Sequence, residues 1–194
     1  MERWIRWFLV STPVKNYRFD GVYMGIEEHR DWDSVDYTQL LSGDLFPPDF
    51  MWGVATASHQ IEGGNTNNWS AFEPRSKSGQ LSGDACDHWN RKEQDIQLIK
   101  DLNVSHYRFS IEWSRIEPQQ GIWDDDAIQW YSDLVDQLLA KGIQPMATLH
   151  HFTHPLWWDE KGGFEKEENV DDWVRFCVKM FEALSDRVDW WCTI

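Results

Sequence analysis

The 194-residue sequence contains no apolar run approaching the roughly 18 residues that span a bilayer. Near its start, Trp7-Phe8-Leu9-Val10 is too short for a signal-peptide core and no small-residue cleavage site follows, so a cytoplasmic location is expected. Cysteine is scarce. Cys86, Cys177 and Cys192 are odd in number and widely spaced, which fits neither a disulfide framework nor a CxxC metal site, and reduced thiols are expected. Positive charge is short as well, with 18 Lys and Arg against 33 Asp and Glu for a formal net charge of −15. Such a surplus repels phosphate backbones and anionic lipid, so neither nucleic acid nor a membrane surface is an expected partner. A phosphate-cradling loop is also missing: Gly53 and Gly63-Gly64 stand outside GxGxxG and GxxxxGKS/T spacing, which argues against nucleotide binding.

What the sequence has in excess is tryptophan, 14 residues, several times what a core of this size needs. Large apolar faces with one N–H donor suit a core, an interface, or a site that stacks on sugar rings, and composition alone leaves all three open. Residues 1–43 carry mixed charges, scattered aromatics and weak periodicity, and are read as an N-terminal extension with no assigned structure. Residues 44–194 form the second unit, with a different pattern. Met51 to Ala57 is a short, mostly apolar run that reads as a buried strand, Val104 to Ile111 as a second, Ile143 to Leu149 as a third, and Val188 to Ile194 as the start of a fourth.

Between them lie helical patterns. Arg91 to Leu102 places Ile96, Ile99 and Leu102 on one face, and Asp124 to Asp126 supply cap chemistry for a helix with Ala127, Tyr131, Leu134, Val135 and Leu138 in its stripe. Lys141-Gly142 closes that helix, and Val170, Trp173, Val174, Cys177, Phe181 and Leu184 mark a third. Strands alternating with helices predict an α/β protein with a parallel sheet. Four strands and three helices use about 145 residues where an eight-stranded barrel takes about 250, so the expectation is the first half of a (β/α)8 TIM barrel, strands 1–4. A small doubly wound sheet is the alternative.

In parallel sheets, function collects where strands end at their carboxyl side. Those positions carry Ser58-His59-Gln60-Ile61-Glu62, then Glu112-Trp113-Ser114-Arg115, then His150-His151-Phe152-Thr153-His154. Neutral donors and acceptors interleaved with indoles suit a polyhydroxylated neutral ligand. The strings FPPDFMWGVATASHQIEGG, YRFSIEWSRIEP, TLHHFTHPLWW and DWWCTI, in this order from Phe46 to Ile194, closely resemble the retaining β-glucosidases and β-galactosidases of glycoside hydrolase family 1. The resemblance implies a hydrolase of β-linked glucosides or galactosides that needs no metal or organic cofactor. It implies that Gln60 hydrogen-bonds two hydroxyls of the glycone, that His151 binds the sugar beside it, and that Arg108 contacts the nucleophilic carboxylate and keeps it ionised. Phe152 stands where the family often has Trp, among the substrate-binding residues, and His150 where it often has Tyr; both keep an aromatic ring.

The family's mechanism needs two carboxylates about 5–5.5 Å apart. By the resemblance, the acid/base glutamate belongs to an Asn-Glu-Pro directly after Cys192-Thr193-Ile194 and the nucleophile to a seventh strand, so no catalytic carboxylate is expected within these residues. The chain is then an amino-terminal piece, inactive alone, whose partner is the carboxyl-terminal half of the barrel. The competing reading is a half-barrel or pseudoenzyme that binds sugar or protein without catalysis. Several plainer readings stand beside these. Gln60 could serve only the loop backbone, and Arg108 could pair structurally with Glu112 or Asp95. Glu62, Glu112 and Glu117 are conceivable substitute acids. His150, His151 and His154, with His88 or Cys86 as a remote fourth ligand, lack the glutamate and the helical setting of HExxH, and no metal site is expected. The tryptophans at 173, 190 and 191 read as core. Open edges on a half barrel predict self-association.

Overall fold

The computed structural model describes residues 50–194. The extension assigned to residues 1–43 lies outside them. Four strands, β1 (Gly53–Ala55), β2 (His106–Ser110), β3 (Gln144–Thr148) and β4 (Trp190–Cys192), form one parallel sheet in sequence order. Its register pairs Ala55 with Arg108, Arg108 with Met146 and Met146 with Trp190.

Each connection carries a long helix: α3 (His88–Asp101), α5 (Asp125–Ala140) and α7 (Val170–Leu184). The cap predicted at Asp124 is made, its side chain accepting from the Ala127 N–H at 2.9 Å. Helix α3 starts three residues before the expected Arg91, whose own backbone is non-helical (φ −115°, ψ 19°) and kinks the first turn. Shorter helices cluster at the carboxyl ends of the strands: α1 (Ser58–Ile61), α2 (Asn68–Phe72), α4 (Trp113–Ile116) and α6 (Leu156–Glu160). None is long enough to show periodicity, which is why the sequence pattern passes over them.

Period-two alternation divides the sheet. Tyr107, Phe109 and Ala147 turn toward the helices and join Ile96, Tyr131, Leu134, Leu138, Phe176 and Met180 in a single buried cluster. Arg108 and Met146 lie on the other face, only partly buried, and Trp190 beside them is 48% exposed. The expectation of core positions holds for Trp173 and Trp191, which pack partly buried against the cluster, and fails for Trp190, which is 48% exposed on the edge strand β4 because no further strand among the described residues covers it. One helix-covered face and one open face are what the first half of a (β/α)8 barrel presents. Among the described residues, no helix is long and apolar enough to cross a membrane.

Candidate functional site

The carboxyl rim of the sheet gathers the residues singled out above. Gln60 sits in α1, directly after β1, with an exposed side chain and its backbone N–H donating to the Ala57 carbonyl at 3.0 Å. His151 and Phe152 follow β3, their rings 5.4 Å apart and nearly perpendicular. Phe152 is 67% exposed and holds φ at +69°, a left-handed conformation that a bulky residue adopts only under constraint. Asn68 supplies the constraint. Its Nδ2 donates to the Phe152 carbonyl at 3.2 Å, its Oδ1 accepts from the His154 N–H at 3.0 Å, and its own N–H donates to the His154 carbonyl at 3.1 Å. One asparagine thus ties the segment after β1 to the turn after β3. Sequence reasoning did not single it out, because nothing within its own Gly/Asn-rich stretch announces a partner 84 residues away.

Arg108 projects from the middle of β2 on the open face. Neither structural partner considered for it is taken up: Asp95 bonds His88 Nδ1 at 2.6 Å, and Glu112 is engaged by hydroxyl groups. Among the described residues Arg108 makes no hydrogen bond or ion pair. Its charge is felt at His151, where burial first and then the Arg108 cation push the imidazole pKa down. His151 is therefore a neutral donor and acceptor, the state a sugar hydroxyl can use.

Below the rim lies a buried acidic layer. Glu112 accepts hydroxyl hydrogen bonds from Ser58 at 3.0 Å, Ser114 at 2.7 Å and Thr153 at 2.9 Å, so one carboxyl group collects donors from the ends of all three of the first strands. The Tyr131 hydroxyl accepts from the Glu112 N–H at 2.8 Å and donates to Glu62. Arg115 completes the layer, donating from Nε to Glu62 at 3.0 Å and from Nη2 to the Gly63 carbonyl, with its guanidinium 4.0 Å from the Trp89 ring centroid. Burial, followed by the Glu112 carboxylate, pushes the Glu62 pKa up to about 8 against the pull of Tyr131 and Arg115. Glu117 is likewise enclosed, accepting from Trp113 Nε1 at 2.9 Å, the Gly121 N–H at 2.7 Å and Arg175. All three acids are 2% exposed or less, which removes them as substitute catalytic groups: a reacting sugar cannot reach them.

The histidine cluster is a stacked pair. His150 and His154 lie 5.7 Å apart centroid to centroid, with Nε2 of the first 3.4 Å from Nδ1 of the second, and His154 Nε2 reaches Asp159 at 3.1 Å. Burial, with His154 and His151 beside it, pushes the His150 pKa down to about 4. His88, considered as a distant ligand, is buried against Asp95 instead.

A βα sheet carrying a neutral-donor rim defines an α/β protein with its site at the strand ends. Residues 42–194 match the profile described as Glycosyl hydrolase family 1, and the chain belongs to that family. It is 39% identical to β-glucosidase A of Thermotoga maritima over 77% of this chain and 36% of that protein, and 39% identical to β-glucosidase 11 of Arabidopsis thaliana over 77% and 30%. Among solved structures it is similar to a β-glycosidase from Pyrococcus horikoshii, at 46% identity and a TM-score of 0.71 over 75% of this chain and 34% of that one. The Thermotoga maritima β-glucosidase bound to deoxynojirimycin gives 39% identity and a TM-score of 0.73, over 76% and 36%. The chain spans about a third of the length of the curated relatives it matches, and its four strands and the three long helices between them are the amino-terminal part of a (β/α)8 barrel.

Proposed function

We propose that this chain supplies the glycone-binding half of a retaining β-glucosidase-like hydrolase acting on β-linked glucosides or galactosides. Gln60 and His151 hydrogen-bond the hydroxyls of the sugar, Phe152 lies against it, and Arg108 faces the position of a nucleophilic carboxylate contributed from beyond these residues. The observation that carries the reading is Arg108: a guanidinium on the open face of the sheet, beside His151, with no acidic partner among the described residues. Within a barrel such a charge requires a carboxylate opposite, and a family 1 nucleophile meets that need. A second reading, sugar binding without cleavage, is favoured by the burial of Glu62, Glu112 and Glu117, which keeps all three out of reach of a bound sugar as members of the carboxylate pair that retention needs.

Calorimetric titration with deoxynojirimycin and an assay with an aryl β-D-glucoside separate the outcomes. Deoxynojirimycin binding that weakens about tenfold in Gln60→Ala and in His151→Ala is expected, the loss of a buried hydrogen bond each. Turnover is expected only when the carboxyl-terminal half of a family 1 barrel is added. Hydrolysis by the 194 residues alone would overturn the assignment of the carboxylates, and binding unaffected by both substitutions would overturn the site.

A further inference from the structure

The two segments that carry Gln60 and His151 have little of their own to hold them. Helix α1 is a single turn of 4 residues that starts after Ala57, whose side chain caps nothing, and a helix that short has no stability in isolation. The turn after β3 keeps Phe152 at a φ of +69°. Nor are the segments neighbours in the sheet: β2 runs between β1 and β3 and sets their ends about 10 Å apart, two strand spacings. Glu112, buried just past the end of β2, closes that gap. Its Oε2 accepts from Ser58 Oγ in α1 at 3.0 Å and from Thr153 Oγ1 at 2.9 Å, so one oxygen atom is tied to both segments. Its Oε1 accepts from Ser114 Oγ in α4 at 2.7 Å. Ser58 stands two positions before Gln60, and Thr153 two positions after His151.

The acceptor dictates the direction of the network. A carboxylate only accepts, so each hydroxyl must donate to it. With its proton committed to Glu112, Ser58 Oγ is left to accept from Ser110 Oγ at 3.1 Å, and Ser110 Oγ in turn accepts from the Ser58 N–H at 2.7 Å. Backbone and side chain of Ser58 are thereby both pinned to the end of β2, and α1 with them. Side chains that share one ligand must be held to within about 0.5 Å by such supporting contacts, and neither segment can do so alone. We propose that Glu112 is a positioning residue for the glycone site: through Ser58 it places Gln60, and through Thr153 it places His151, so that both reach hydroxyls of one sugar ring. This rests on the glycone-binding reading of Gln60 and His151 and adds the group that sets their spacing.

Calorimetric titration of the whole chain with deoxynojirimycin, with the melting temperature of each variant measured alongside, tests the assignment. Ser58→Ala and Thr153→Val each cut one arm and are expected to weaken binding about threefold, and Glu112→Ala, which cuts both, about tenfold. Glu112→Gln keeps an acceptor oxygen for Ser58 and Thr153 and can turn its amide toward Ser114, whose hydroxyl can accept, so its affinity should stay within about twofold of the wild type. Ser114→Ala takes a hydrogen bond from the same carboxyl group but spares both arms. It should lower the melting temperature as the other two hydroxyl deletions do, yet leave affinity within about twofold. Double variants add a crossed signature: Gln60→Ala should cost less affinity in the Ser58→Ala background than in the wild type and the same in the Thr153→Val background, with His151→Ala behaving the opposite way. Should Glu112→Ala fail to fold, the three hydroxyl deletions and their double variants carry the test by themselves. Affinity losses that follow melting temperature in all three deletions, Ser114→Ala included, overturn the proposal and make Glu112 a purely structural acid. Additivity in every double variant overturns it too, as does a Glu112→Gln variant as weak as Glu112→Ala. A wild type that fails to bind deoxynojirimycin, or binds it regardless of Gln60→Ala and His151→Ala, overturns the glycone reading and this assignment with it.

Discussion

Glu62 illustrates how much a single buried acid can shape behaviour. In the unfolded chain it titrates near 4.5, and in the folded chain burial and Glu112 move it to about 8. Between those values the folded state keeps a proton that the unfolded state has lost. Proton uptake on folding means that stability falls as pH rises through this window and levels off above it. His150 works in the opposite direction: its pKa of about 4 in the folded state, against 6.5 unfolded, costs stability as pH falls below 6.5. The interval from pH 6.5 to 8 therefore isolates Glu62. Glu62→Gln keeps an acceptor for Tyr131 and removes the titration, so its melting temperature should decline less over that interval than that of the wild type; equal slopes would show that Glu62 is ionised throughout. At this scale the sequence displayed Gln60, Arg108, His151 and Phe152 through their motifs. It concealed Tyr131 and Asn68. Tyr131 has the spacing of a helix-stripe core residue, and only the fold shows that its hydroxyl, 69 residues from Glu62, joins Glu62 to Glu112.

The elements differ in how firmly their faces are committed. In α7, Phe176 is fully buried and stacks on Trp113 with ring centroids 4.9 Å apart, while Val174 and Val178 on the outer side are 44% and 49% exposed. Phe176→Ala should lower unfolding stability by about 3–5 kcal/mol through lost transfer energy and the cavity left behind. Val174→Lys should stay within about 0.5 kcal/mol, because the side chain already meets solvent. Urea midpoints at constant m-value measure both, and similar costs for the two would mean that the outer stripe is covered. The long helices and the strands were legible as elements because each holds a sustained period, 3.6 or 2, but two stripes were misplaced: Leu102 at the end of α3 is 63% exposed, and in α7 Val170, Val174 and Phe181 are exposed while Phe176, Met180 and Leu184 form the buried face. Strand β1 was read four residues too long, from Met51 to Ala57, because the apolar run continues into the turn that starts α1. The short helices α1, α2, α4 and α6 stay invisible to periodicity, and they are the pieces that aim Gln60, Asn68 and the buried acids. What sequence pattern misses here is the machinery of the rim, since four or five residues can be positioned by long-range hydrogen bonds without any repeating signal of their own.

At the scale of the whole molecule, the sheet ends on both sides without a neighbour among the described residues: β1 pairs only with β2, and β4 only with β3. Each outer edge presents unpaired N–H and C=O groups, and the edge at β4 carries Trp190 and lies near the exposed stripe of α7. These surfaces favour association of the isolated chain, whereas the net charge of −15 opposes it by mutual repulsion. The two effects respond differently to salt. Raising ionic strength from about 0.01 M to 0.15 M shortens the Debye length from about 30 Å to 8 Å, which screens the repulsion and leaves strand pairing and apolar burial nearly untouched. Association should therefore grow with salt, in the reverse of the trend for a contact held by ion pairs. Sedimentation velocity across that range tests it, and Trp190→Lys, which places a charge on the open edge, should shift the distribution back toward monomer. A single sharply melting monomer at every salt concentration would mean that the edges are capped, leaving four strands and three long helices able to stand alone with half of a barrel's strands.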